Sequence, residues 1–186
     1  LIWRILPDRV TTARSSHFRW VIGSTLAAAA IAYPPFLLYG YSPVQIGAAR
    51  LPIAVVGASL NMFAWYGFVA LYAVATRDLT RTPALRLWDL ALLALVLSTM
   101  GAWGLAVLQP LGVHNPLVAT ALTHVFLDLF SEGWFVLGVL GVGYSVVGGD
   151  YADASEWPIW FVGLGLPLTF ILALPQSALS PGMEWA

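Results

Sequence analysis

The segment ALRLWDLALLALVLSTMGAWGLAVL, residues 84–108, decides the fold. Both of its charges, Arg86 and Asp89, fall at its start, and no further charge follows through Leu108. Such a run is long enough, as an α-helix, to cross a hydrocarbon layer roughly 30 Å thick. Comparable blocks lie to either side, at Phe18–Tyr39, Leu51–Ala75, Pro116–Val147 and Trp157–Leu174. The pattern predicts an all-α integral membrane protein, a single polytopic domain built as a bundle of about five transmembrane helices.

Composition points the same way. Of 186 residues, 60% are hydrophobic and 9% charged, with a mean hydropathy of +0.83, whereas soluble domains carry about a quarter charged residues. A soluble core would not absorb that much apolar sequence, so the first partner is the lipid bilayer. A net charge of −1 with no cationic cluster excludes a nucleic-acid interface. Cysteine is absent, which removes disulfides, thiolate metal sites and cysteine nucleophiles together. Glycine-rich nucleotide loops and the common hydrolase and zinc-protease motifs are missing as well.

Local chemistry supports the helix starts. Pro52, Pro83 after Thr82, Pro116 after Asn115 and Pro158 after Glu156-Trp157 sit where a first helical turn tolerates proline. Pro34-Pro35 removes two backbone donors, so the first helix is predicted to kink or stop early there. Orientation follows from arginine, because every basic residue is Arg and cytoplasmic loops are enriched in positive charge. Arg4, Arg9, Arg14, Arg19, Arg77, Arg81 and Arg86 fall on one side of a five-span arrangement and Arg50 on the other, which predicts a cell-membrane protein with a cytoplasmic N-terminus. Trp20, Trp88, Trp157, Trp160 and Trp185 lie near predicted ends and suit interfacial belts. Gly133, Gly138, Gly141, Gly143, Gly163 and Gly165 would let neighbouring backbones approach closely.

Chemistry concentrates in the fourth block, at Thr123-His-Val-Phe-Leu-Asp-Leu-Phe-Ser-Glu132. His124, Asp128 and Glu132 recur every four residues and form one polar stripe on an apolar helix, with Thr120 one step earlier. Counting inward from Pro116 at 1.5 Å per residue puts them roughly 12, 18 and 24 Å deep, inside the hydrocarbon layer. Ionisable groups there are costly and mark cavities, partners or function. Imidazole and carboxylates ligate Fe, Cu, Zn or Mn, and the same groups relay protons along a hydrated path. A third reading is structural: Arg86, counted to a depth near Glu132, neutralises Glu132 or Asp128 and registers two helices. Because the stripe spans roughly 12 Å, His124 and Glu132 do not share one ion, and any metal draws further ligands from elsewhere.

Other signals are weaker. Asn61 counts to the depth of Asp128, His114 reads as a solvated loop residue, and His17 sits at head-group level. The run Phe63, Trp65, Tyr66, Phe68 and Tyr72 can line a cofactor pocket but reads more simply as packing.

Leu51 to Arg81, ending FVALYAVATRDLTR, resembles a helix and its following loop in relatives of haem-copper oxidase subunit I. His124-Val-Phe-Leu-Asp-Leu-Phe-Ser-Glu-Gly-Trp-Phe135 is similar to the histidine-bearing, Gly-Trp-Phe-containing helix of small NnrS-like relatives. A complete subunit I has more spans and more metal-binding histidines than the three histidines present here, and Leu51-Pro52-Ile53 stands where a haem ligand would fall. The resemblance thus implies a haem or metal role at one helix, within a larger assembly of other membrane subunits or of like copies. The expectation is a membrane subunit of a redox complex with a buried site: His124 the ligand to haem or a transition metal (Fe, Cu or Zn), Asp128 a second ligand or the imidazole's orienting partner, and Glu132 a further metal-site residue or catalytic proton acceptor. The rivals are a proton- or ion-coupled transporter and a structural subunit.

Overall fold

The computed structural model describes residues 12–40, 42–108, 111–147 and 157–172. Its helices are α1 (Thr12–Tyr39), α2 (Ile53–Thr76), α3 (Pro83–Leu108), α4 (Pro116–Asp128), a π-helical stretch (Leu129–Val136), α5 (Leu137–Val147) and α6 (Trp157–Leu172). Among the described residues four continuous helical spans are long and apolar enough to cross a membrane, the fourth being Pro116–Val146, formed by α4, the π-helical stretch and α5 together. The all-α membrane class therefore stands. In α6, 16 residues are described, and the predicted continuation to Leu174 lies outside the described residues.

Two compact units divide after Leu79. In the first, α1 and α2 run antiparallel. Phe18, fully buried, meets Phe68 edge-on with ring centroids 6.0 Å apart. Further along, Gly57 packs on Ala32 so closely that an added Cβ would lie 2.7 Å from the alanine methyl. Pro34 and Pro35 sit inside α1, which continues to Tyr39 instead of stopping early.

An element that the hydropathy reading did not contain joins these helices. Val44–Ile46 and Ala49–Leu51 pair antiparallel as β1 and β2, turning at Gly47, whose φ of +59° favours glycine. Arg50 is exposed on this hairpin and donates from Nε to Gln45 Oε1 at 3.3 Å. The second span accordingly starts at Ile53, after Pro52.

In the second unit, α3 is the central helix, and its contacts run down the whole length of the fourth span. Trp88 opposes Gly141, Ala94 opposes Gly133, Gly101 opposes Leu122 and Phe126, and Gly104 opposes Leu122. This order fixes an antiparallel pair. A Cβ at Gly133 would lie 2.5 Å from that of Ala94, and one at Gly104 2.8 Å from a Leu122 methyl. One at Gly101 would collide with the Leu122 carbonyl oxygen and come within 2.7 Å of the Phe126 amide nitrogen. In lipid, small residues at such crossings replace the hydrophobic drive that operates in water. Gly138, Gly143 and Gly165, also read as packing positions, face open space.

A buried cluster of Leu87, Ala91, Leu137 and Ile159 ties α3, α5 and α6 together. Trp88, read as a belt residue, is buried against the fourth span: it is 5% exposed and lies edge-on to Trp134, centroids 5.8 Å apart. Trp20 and Trp157, by contrast, are 77% and 71% exposed. Trp185 lies outside the described residues.

Candidate functional site

Asn115 and Pro116 set where the site helix begins. The Asn115 side chain accepts hydrogen bonds from the amides of Leu117 (2.9 Å) and Val118 (3.3 Å), while Pro116 fills the first helical position where no donor is needed. From that start, Leu122 and Phe126 are spent on the contact with α3. His124 and Asp128, on the same helix, bring their side chains together one turn apart.

His124 Nδ1 lies 3.5 Å from Asp128 Oδ2. The distance is long for a hydrogen bond, and Nδ1 is sealed from solvent with no hydrogen-bond partner among the described residues. The two side chains are 34% and 28% exposed, so the pair is half-buried at the edge of the unit and not in its core. Within α3 two hydroxyls are buried: Ser98 Oγ donates to the Leu95 carbonyl at 2.7 Å and Thr99 Oγ1 to that of Val96 at 2.6 Å. Reading residues 84–108 only for hydropathy missed these polar groups and the closest crossing, at Gly101 and Gly104. The spacing of Ser98, Gly101 and Gly104, three residues apart, was the signal.

Glu132 departs from the expected stripe. It is exposed on the outward surface of the span, and among the described residues its carboxylate makes no ion pair or hydrogen bond. The reason lies in the winding: the helix widens to the π form from Leu129, so four residues no longer advance the face by the α-helical increment. The site expected to be buried is thus a half-buried His–Asp pair with a separate outward carboxylate. Among the described residues no three His, Asp or Glu side chains gather closely enough to hold a metal ion.

The expected pairing of Arg86 with Asp128 or Glu132 is not formed among the described residues. Because Ala94 opposes Gly133, Arg86 lies eight residues, roughly 12 Å, from that level along α3. Its Nε donates instead to the Arg81 carbonyl at 3.3 Å, and Arg81 pairs with Asp89 at 2.9 Å. Counting depth from Pro116 failed because the fourth helical span, at 31 residues, is longer than a bilayer requires. Of the remaining candidates, His114 and His17 are exposed. Asn61 has its Oδ1 buried without a hydrogen-bond partner among the described residues, in the other unit.

No family model matches the chain, and no curated protein or solved structure is significantly similar to it.

Proposed function

We propose that this chain is a subunit of a redox assembly in the cell membrane, its N-terminus cytoplasmic, in which His124 is the single protein ligand that the chain offers to a haem or transition metal. The observation that carries this reading is the placement of Asp128 Oδ2 3.5 Å from His124 Nδ1. A carboxylate that accepts from one ring N–H fixes a metal-ligating imidazole in orientation and makes it more basic, leaving Nε2 for the ligand bond, and a small rotation of the Asp128 side chain from its present 3.5 Å would make that hydrogen bond. Asp128 is then the orienting partner and not a second ligand. A haem needs only an axial position from a given chain, whereas a closed four-ligand metal site needs donors that another subunit or a second copy supplies.

When bound, such a group supplies one-electron chemistry. The chain's own residues hold and orient: Gly101 and Gly104 press α4 against α3, Asp128 aims His124, and Glu132, outward on the same span, is the group that accepts a proton. The arginine distribution supports the orientation.

A second reading, proton- or ion-coupled transport, draws on Glu132, an outward carboxylate with no ion-pair partner among the described residues. Elemental analysis and an absorption spectrum of protein purified from its native membrane without chelators separate the two. A stoichiometric metal or haem, lost in His124→Ala and held 10- to 100-fold more weakly in Asp128→Ala, is the expected result. A colourless, metal-free native protein sinks the redox reading; proton flux abolished by Glu132→Gln would then favour transport.

A further inference from the structure

We infer that the outward face of the fourth span docks a transmembrane helix of another protein, one that carries a single arginine or lysine at mid-depth and pairs it with Glu132. Glu132 stands near the middle of the 31-residue span Pro116–Val146. That span is about 45 Å long, against a hydrocarbon layer of roughly 30 Å. Even with the whole excess projecting beyond the nearer end, about 20 Å away, the carboxylate stays inside the layer. It is exposed there, and among the described residues it makes no ion pair or hydrogen bond. The neighbouring hydroxyl does not serve it, because Ser131 Oγ donates to the Leu127 carbonyl at 2.7 Å.

Ionisable groups at such depth face a bundle interior, a hydrated cavity or an opposite charge. Glu132 faces away from the unit that carries it, so the opposite charge comes from outside that unit. A second copy does not bring one. Among the described residues every arginine lies in a connection or near the start of a helix. Copies of one chain also insert in one orientation, which sets Glu132 against a like charge at its own depth. The complement is a different chain with a cation at that level.

The surface around the carboxylate is shaped for a helix. Val136, Val139 and Val146 are 43%, 55% and 53% exposed, and Gly143 among them is exposed with open space where a Cβ would stand. From Val136 these positions follow at steps of three, four and three, the seam along which helices cross at a shallow angle. Gly143 lets a second backbone come close. Lipid chains would cover the valines equally well but leave the carboxylate unpaired. While ionised, the group assigned above to proton uptake is balanced by the partner's cation.

The test uses the full chain in phosphatidylcholine vesicles with a dansyl-labelled, leucine-rich transmembrane peptide of about 20 residues, bearing either arginine or leucine at its centre. Energy transfer from the chain's tryptophans reads association. The arginine peptide is expected to bind roughly tenfold more tightly than the leucine peptide. Glu132→Gln removes that preference, Glu132→Asp keeps part of it, and Asp128→Asn leaves it unchanged. His124→Ala, which removes the proposed metal or haem ligand, also keeps it, so the two readings fail separately. Gly143→Leu fills the seam without touching the charge and weakens binding of both peptides. Equal affinity for the two peptides, a preference that survives Glu132→Gln, or one lost in Asp128→Asn or His124→Ala overturns the proposal. So does self-association of the chain that Glu132→Gln abolishes while the two peptides bind alike, an outcome that assigns the face to a second copy. Should Glu132→Gln not fold, Gly143→Leu carries the test: binding undiminished by the filled seam overturns it equally.

Discussion

In the unit from Thr80 onward, α3 has 39% of its most apolar stretch buried, whereas in the unit up to Leu79 the corresponding share of α1 is 6%. Both helices are apolar enough to span a membrane, yet one is a scaffold and the other a lipid-facing strut. What separates them is where small residues fall. Helix α3 places Ala91, Ala94, Ser98 and Gly101 on its packed face, while α1 packs along α2 through Phe18, Ala28 and Ala32 and exposes Trp20, Leu26, Ile31, Leu37 and Leu38 on the rest of its surface. Hydropathy measures whether a helix enters lipid; the spacing of small residues decides whether another helix covers it.

Substitutions can break this contrast, and the largest effect is expected at its tightest contact. Gly101→Leu drives a side chain into the Leu122 carbonyl and the Phe126 backbone, destabilising the second unit by about 3 kcal/mol or more. Gly23→Leu, at a position with open space around it in α1, stays within about 0.5 kcal/mol. Thermal unfolding in detergent compares the two, and equal losses would abolish the distinction between scaffold and strut. Glu132→Leu acts in the opposite direction: removing an outward carboxylate favours insertion of the fourth span by about 2.5 kcal/mol in a translocon assay. No gain there would mean that the carboxylate is not paying a lipid penalty. In the first unit, Phe18→Ala removes a fully buried aromatic and costs about 2 kcal/mol of packing, read as easier separation of α1 from α2. A smaller loss than that of Phe18→Ala belongs to Asn115→Ala, which frees the amides of Leu117 and Val118 for about 1 kcal/mol and shows as faster hydrogen exchange confined to the start of α4.

Much of this was legible from residues alone. Thr82-Pro83 and Asn115-Pro116 each begin a helix as their chemistry requires, with Thr82 Oγ1 accepting from the Leu85 amide at 3.3 Å and Asn115 capping α4. The pairing of His124 with Asp128 follows from a spacing of four. The β1–β2 hairpin was not legible, because Val44-Gln-Ile and Ala49-Arg-Leu are too short to show a period, and only Gly47 hinted at a turn. Neither was the outward turn of Glu132: an i, i+4 rule assumes constant winding, and nothing in Leu129-Phe-Ser-Glu-Gly-Trp-Phe-Val136 announces a change of pitch.

That change of pitch means that the two halves of the fourth span are phased independently. A uniformly wound helix has one angular setting: turning Phe126 toward Gly101 would dictate where Gly133 and Gly141 point. With Leu129–Val136 wound wider, the first half keeps Leu122 and Phe126 on α3 while the second seats Gly133 against Ala94 and Gly141 against Trp88. The stretch works as a splice between two registers. Shortening it by one residue forces a choice, so that the span keeps either its glycine seats or the seating of the helix that carries His124 and Asp128, and loses the other.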